Sequence, residues 1–194
     1  RMRRTAGLLA VLLVLGISVV GTAGSFAIGK TSLSGAVLDW NGQTITAKGN
    51  ASFTTAPSKT PLRVGTMRLE SIRANTITVT LTSGKSQTLK EASASGGVVI
   101  RAKRADQETT KSGTATVIRD VYATAGSAVM PQTQDVIKLT GDVTVKVTEP
   151  GVAEPIAVLS GEIVTVSLKD NKIRVEGQAN KPAEFTVTPK EGQK

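Results

Sequence analysis

From residue 30 onwards, apolar and polar side chains alternate with a period of two, and glycines interrupt the alternation at recurring intervals. Such a chain can bury one face of each extended segment and wet the other, which suits a β-sheet and no helix. Ile137, Leu139, Gly141, Val143, Val145 and Val147 share one parity, with Lys138, Thr140, Asp142, Thr144 and Lys146 between them. The pattern recurs at Ile45–Phe53, Ile77–Leu81, Val164–Leu168 and Ile173–Val175. Turn chemistry separates these runs, at Asn41-Gly42, Ser83-Gly84, Pro150-Gly151 and Asp170-Asn171. Beyond the N-terminal segment no stretch has a 3.6-residue period.

Two internal repeats underlie the alternation. Ile72-x-Ala74-x-x-Ile77-x-Val79-x-Leu81 matches Leu159-x-Gly161-x-x-Val164-x-Val166-x-Leu168 position for position. Each copy shifts parity in its middle, which predicts a bulge or bend that re-aims the strand without ending it. The second repeat is a glycine followed by alternating apolar residues, at Gly49, Gly96, Gly113, Gly141 and, more faintly, Gly177. Glycine inside a strand marks a kink or a close backbone approach. Kinked strands of this kind predict antiparallel layers that fold over on themselves.

Composition narrows the chemistry. The chain has 194 residues with no Cys and no His, so disulfides, thiolate ligation and imidazole base catalysis are excluded. Only Phe26, Trp40, Phe53, Tyr122 and Phe185 are aromatic, and the core must come from Val, Ile, Leu and Ala. The formal charge is +9. It is concentrated between Lys30 and Arg119, while the remainder is mildly acidic. Nucleic acid is not expected as a partner, because stacking aromatics are nearly absent. Asp106 and Glu108 lie among basic residues in an expected loop, and Asp142 and Glu162 fall on the polar parity. No catalytic constellation, metal site or cofactor site is expected, and an enzyme is not indicated.

Thr5 to Ile28 carries no charged side chain and comes after Arg1, Arg3 and Arg4. As a helix, 24 residues would extend about 36 Å and cross a bilayer. The basic start keeps the N-terminus inside and exports the remainder of the chain. Residues 1–28 are therefore read as an inner-membrane anchor or a signal peptide, residues 29–188 as one β domain and residues 189–194 as a polar tail. Small-x-small exits such as Gly21-Thr22-Ala23 suit cleavage, while the unbroken run to Ile28 suits an anchor. Both readings place the domain outside the cytoplasm, in the periplasm.

The strand template at Ile72–Leu81 and Leu159–Leu168, the Gly-x-Val-x-(Val/Ile) element at Gly96 and Gly141, and the single apolar N-terminal segment together resemble the LptA/LptC/OstA family of lipopolysaccharide-transport proteins. The resemblance departs at Asn75 and Glu162, where family repeats often carry Asp, and the loop-like basic region Arg101–Lys111 has no place in the pattern. The resemblance implies an all-β, folded-over antiparallel β-jelly roll. Its interior would shield the acyl chains of lipopolysaccharide or another glycolipid, and its strand edges would pair with other β-jelly-roll transport proteins. The expected groove residues are Ile77, Val79, Leu81, Val98, Ile100, Ile137, Leu139, Val143, Val145, Val164, Val166 and Leu168. The same alternation would serve a filled core, so an exported structural or adhesion protein is the rival expectation. Arg101, Lys103 and Arg104 form a basic cluster that would meet lipid headgroups or a membrane surface, or stand as a solvated loop.

Overall fold

The computed structural model describes residues 19–83, 88–110, 113–131, 135–152, 154–178 and 180–187, with the backbone alone for residues 19–23 and 110. Among them, ten strands form one antiparallel sheet. They are β1 (Val19–Ile28), β2 (Thr31–Trp40), β3 (Thr44–Thr55), β4 (Thr66–Leu81) and β5 (Leu89–Thr110). β6 (Gly113–Pro131), β7 (Val136–Thr148), β8 (Ala157–Ser167), β9 (Lys172–Glu176) and β10 (Glu184–Val187) complete the sheet. The first eight strands pair in chain order, so every connection is a hairpin or a short loop. β9 and β10 then share β8, with β9 along Ile163–Ser167 and β10 along Ala157–Ser160.

The long strands bend in the middle, and the residues that bend them are the repeats. In β3, β5 and β7 the ladder slips at Lys48/Ala51, Ser95/Val98 and Thr140/Val143. Each slip holds two consecutive residues at positive φ: Gly49 and Asn50, Gly96 and Gly97, Gly141 and Asp142. Glycine, and to a lesser degree Asn and Asp, adopts that conformation at low cost. Opposite these pairs, β4 runs through Ala74–Thr76 and β8 through Gly161–Ile163, where the parity shift of the ten-position repeat falls. The two sequence repeats are thus the two sides of one corner. Gly113 and Gly177 play a different part: Gly113 opens β6, and Gly177 lies in the β9–β10 connection.

Each corner divides a strand between two leaves. The first leaf holds residues 66–73, 98–110, 113–125, 143–148 and 157–161, with β10 at its edge. The second holds residues 76–81, 89–95, 127–131, 136–140 and 163–167, with β9 at its edge. No helix covers the sheet among the described residues, so its apolar face is buried by folding on itself. One cluster results, from Leu33 and Phe53 at one end to Val147 and Val166 at the other. Phe26 and Trp40 reach across at the β1–β2 end, with ring centroids 6.4 Å apart.

Two expectations are corrected here. The charge density of Arg101–Lys111 predicts a loop, but β5 runs unbroken through this stretch to Thr110. The period of two continues there, and the inward charges are paired. The expected boundary of the N-terminal segment at residue 28 also moves, because Val19–Ile28 pairs with β2 along its length. Val19, Val20, Thr22 and Ile28 are β-branched, and Gly21 and Gly24 disfavour a helix, while hydropathy does not distinguish an apolar strand from an anchor. Residues 1–18, where the anchor is expected to begin, and the tail 189–194 lie outside the described residues. No helix long and apolar enough to cross a membrane occurs among the described residues.

Candidate functional site

All twelve expected groove residues face the interior between the leaves. Ile77, Val79, Leu81, Ile137, Leu139, Val164, Val166 and Leu168 line the second leaf, and Val98, Ile100, Val143 and Val145 the first. Each is at most 9% exposed, and all belong to one apolar cluster.

The rims of the leaves meet on the side away from the corners. The Met67 amide of β4 donates to the Leu168 carbonyl at 2.7 Å. Asn171, in the β8–β9 turn with φ of 53°, donates through Nδ2 to Asp106 Oδ1 at 2.8 Å. Beyond these contacts, towards the C-terminal end, β9 runs with one leaf and β10 with the other. The interior opens there into a cavity of about 530 Å³.

Val147, Ile156, Leu159, Ile173, Phe185 and Val187 form the apolar wall of that cavity. Val147 belongs to the core cluster and Leu159 packs on it, so cavity and interior share a lining. Phe185 and Val187 are 66% and 56% exposed, so β10 presents apolar surface to solvent.

Arg104, Asp106, Glu108, Arg119 and Glu149 make the charged part of the lining, one row along from Val147 on the same leaf. Arg104 and Asp106 continue the parity of Ile100 and Ala102 in β5, so alternation turns them inward. Arg119 pairs with Arg104 across β5–β6 and continues the parity of Val121 and Ala123. Its guanidinium donates to Asp106 Oδ2 at 2.9 Å and to Glu149 Oε1 at 2.9 Å. It also approaches Glu108 Oε2 at 3.5 Å. Arg104 donates to Asp106 Oδ1 at 2.7 Å.

Burial alone would raise the Asp106 pKa, but hydrogen bonds from Arg104, Arg119 and Asn171 outweigh it and hold the carboxyl below its ordinary value. For Arg119 burial works against the charge, and its bonds to Asp106 and Glu149 raise the pKa despite it. A carboxylate stabilised in this way is a poor base. The described lining includes no hydroxyl nucleophile. The arrangement offers an amphipathic surface, with an apolar part for hydrocarbon and a charged part for a polar group.

The basic cluster expected at Arg101, Lys103 and Arg104 is divided by the strand. Arg101 and Lys103 lie on the outer face, while Arg104 points to the cavity. Arg119, Glu149 and Asn171 are not among the expected site residues. Extending the alternation from Ile100 through Glu108 and from Arg119 to Val121 would place the two arginines on one inner face. The Asn171 contact spans 65 residues and has no local signal.

Comparison with known proteins gives little. No family model matches the chain, and no curated protein matches it. A similar solved structure is LptH from Pseudomonas aeruginosa, described as the LptA homologous periplasmic component of the conserved lipopolysaccharide transport device. It is 11% identical, with a TM-score of 0.48, covering 89% of this chain and 96% of that one. At that identity and score the likeness carries no weight for function, which rests on the geometry of this chain.

Proposed function

We propose that this protein is an exported lipid-binding module that shields the acyl chains of lipopolysaccharide or a related glycolipid between its leaves. The supporting observation is the end cavity, whose apolar lining joins the interior and whose charged lining carries the Arg119 network. A ligand with apolar tails and a polar head matches both parts of the lining. Each acyl methylene buried contributes about 0.8 kcal/mol. Val98, Val143, Val145 and their partners on the second leaf would line the path of the tails. In this reading the apolar residues ahead of β1 hold the chain at the inner membrane and the domain works in the periplasm. The outer edge of β1 has no strand partner among the described residues, and a second β-jelly-roll transport protein would add its strand there.

A second reading is favoured by the burial of the twelve residues and by the rim contact of Met67 with Leu168. It is an exported structural or adhesion protein whose interior is a filled core. Native mass spectrometry of the chain titrated with lipopolysaccharide separates the two. Saturable glycolipid uptake that Val143→Phe reduces supports the carrier. An unliganded mass throughout, in a protein that melts cooperatively, rejects it in favour of the filled core.

A further inference from the structure

The outer face of the first leaf differs in chemistry from the outer face of the second. Register places Arg101, Tyr122 and Lys146 directly opposite one another across β5, β6 and β7. Opposite residues on one face of a sheet stand about 5 Å apart, so a tyrosine is flanked by two cations. Arg73 lies diagonal to Arg101, since Ser71 pairs with Arg101 and Arg73 with Val99. Lys103 extends the patch along β5, 46% exposed and 3.6 Å from Glu70.

Arg73, Arg101 and Lys146 are exposed, and none has an ion-pair partner among the described residues. The acidic groups on this face are Glu70, which faces Lys103, Asp120, opposite Lys103 on β6, and Glu184 at the β10 edge. With Arg68, opposite Lys103 on β4, five cations against three carboxylates leave the face positive. Tyr122 stands 37% exposed at its centre. On the second leaf, the row across the same three strands is Ser93, Val129 and Lys138, with one cation in place of two and no aromatic ring.

We propose that the outer face of the first leaf docks on an anionic lipid surface. A sheet face is broad enough for several long cationic side chains to reach a plane of headgroups together. Arg and Lys supply the charge attraction, and a tyrosine among them suits the interface, with an apolar ring and a polar tip. The inference is independent of whether the interior holds lipid, because it uses the opposite side of the sheet.

The chain has no cysteine, so one introduced thiol carries a polarity-sensitive fluorophore cleanly. Thr124→Cys places it beside Tyr122 on the first leaf, and Ser93→Cys places it on the second. Full-length protein is mixed with phosphatidylcholine vesicles containing about one-third phosphatidylglycerol, some with a spin-labelled lipid as quencher. A blue shift and quenching are expected at position 124 and not at position 93. Both should fade with added salt and be absent on pure phosphatidylcholine. Arg101→Gln and Lys146→Gln should each weaken the signal's midpoint about fivefold, with the melting transition retained. Equal quenching at both positions, none at position 124, or indifference to the two substitutions overturns the inference. A response at position 124 to soluble polyglutamate but not to vesicles also overturns it, and assigns the face to an acidic protein instead.

Discussion

Replacing Arg119 with methionine tests whether the charged wall of the cavity is held together as one network. The Arg119 side chain is 12% exposed and bonds to Asp106 and Glu149, with Glu108 near it. Methionine fills a similar volume but removes the cation from between these carboxylates. Breaking a buried ion pair by deleting one partner costs about 3–5 kcal/mol. The site lies at a cavity mouth that water reaches, and Asp106 keeps Arg104 and Asn171, so about 2–3 kcal/mol is expected here. For a chain of this size that lowers Tm by roughly 5–10 °C.

The pH dependence has a defined sign. The folded pKa of Asp106 lies below 3.8, so its contribution is complete above that value and is lost as pH falls through the folded pKa. Arg119→Met removes part of that depression, and the acid limb of its stability profile should flatten. Urea unfolding of wild type and variant across the acid range measures both effects. Converting Arg104, Asp106, Glu108, Arg119 and Glu149 together to apolar residues of similar size should recover much of the loss, since the remaining charges are no longer stranded. A loss below about 1 kcal/mol for Arg119→Met, or no recovery in the combined variant, would refute this reasoning.

The corners and the core carry the other expected outcomes. Gly96→Ala should destabilise more than Gly141→Ala: both sit at positive φ, but a methyl on Gly96 would meet Asn75 Cβ at 2.9 Å, whereas nothing approaches Gly141 within 3.5 Å. The φ strain alone is about 1–2 kcal/mol, and the difference between the two urea midpoints reads the clash. Phe53→Ala, at a side chain 1% exposed, should cost about 3–5 kcal/mol in the same assay. Val143→Phe should cost about 1–3 kcal/mol if the interior is filled, and less if it has room to yield. Asp142→Asn breaks the ion pair with Lys181, but Asp142 is 82% exposed, and the thermal midpoint should stay within error because solvent screens the pair.

Alternation in the amino-acid sequence determined that this is a sheet protein, which residues face inward, and where the strands bend. These properties are local. A period of two, a glycine that tolerates positive φ and a parity shift can each be read within a few residues, so all twelve inward positions and both halves of the corner were legible. The first strand was not, because Val19–Ile28 is apolar on both parities and hydropathy reads it as the end of an anchor. Nor was the role of Arg101–Thr110, where the charges suggest a loop although the alternation continues.

Tertiary structure alone decided how the leaves meet: the Met67–Leu168 bond joins residues far apart in the chain, and Asn171 reaches Asp106 across 65 residues. It also decided that β9 and β10 part company at β8 and leave the interior open at one end. Pairing between distant strands depends on register, twist and loop closure summed over the whole sheet, and no short window of residues contains that sum.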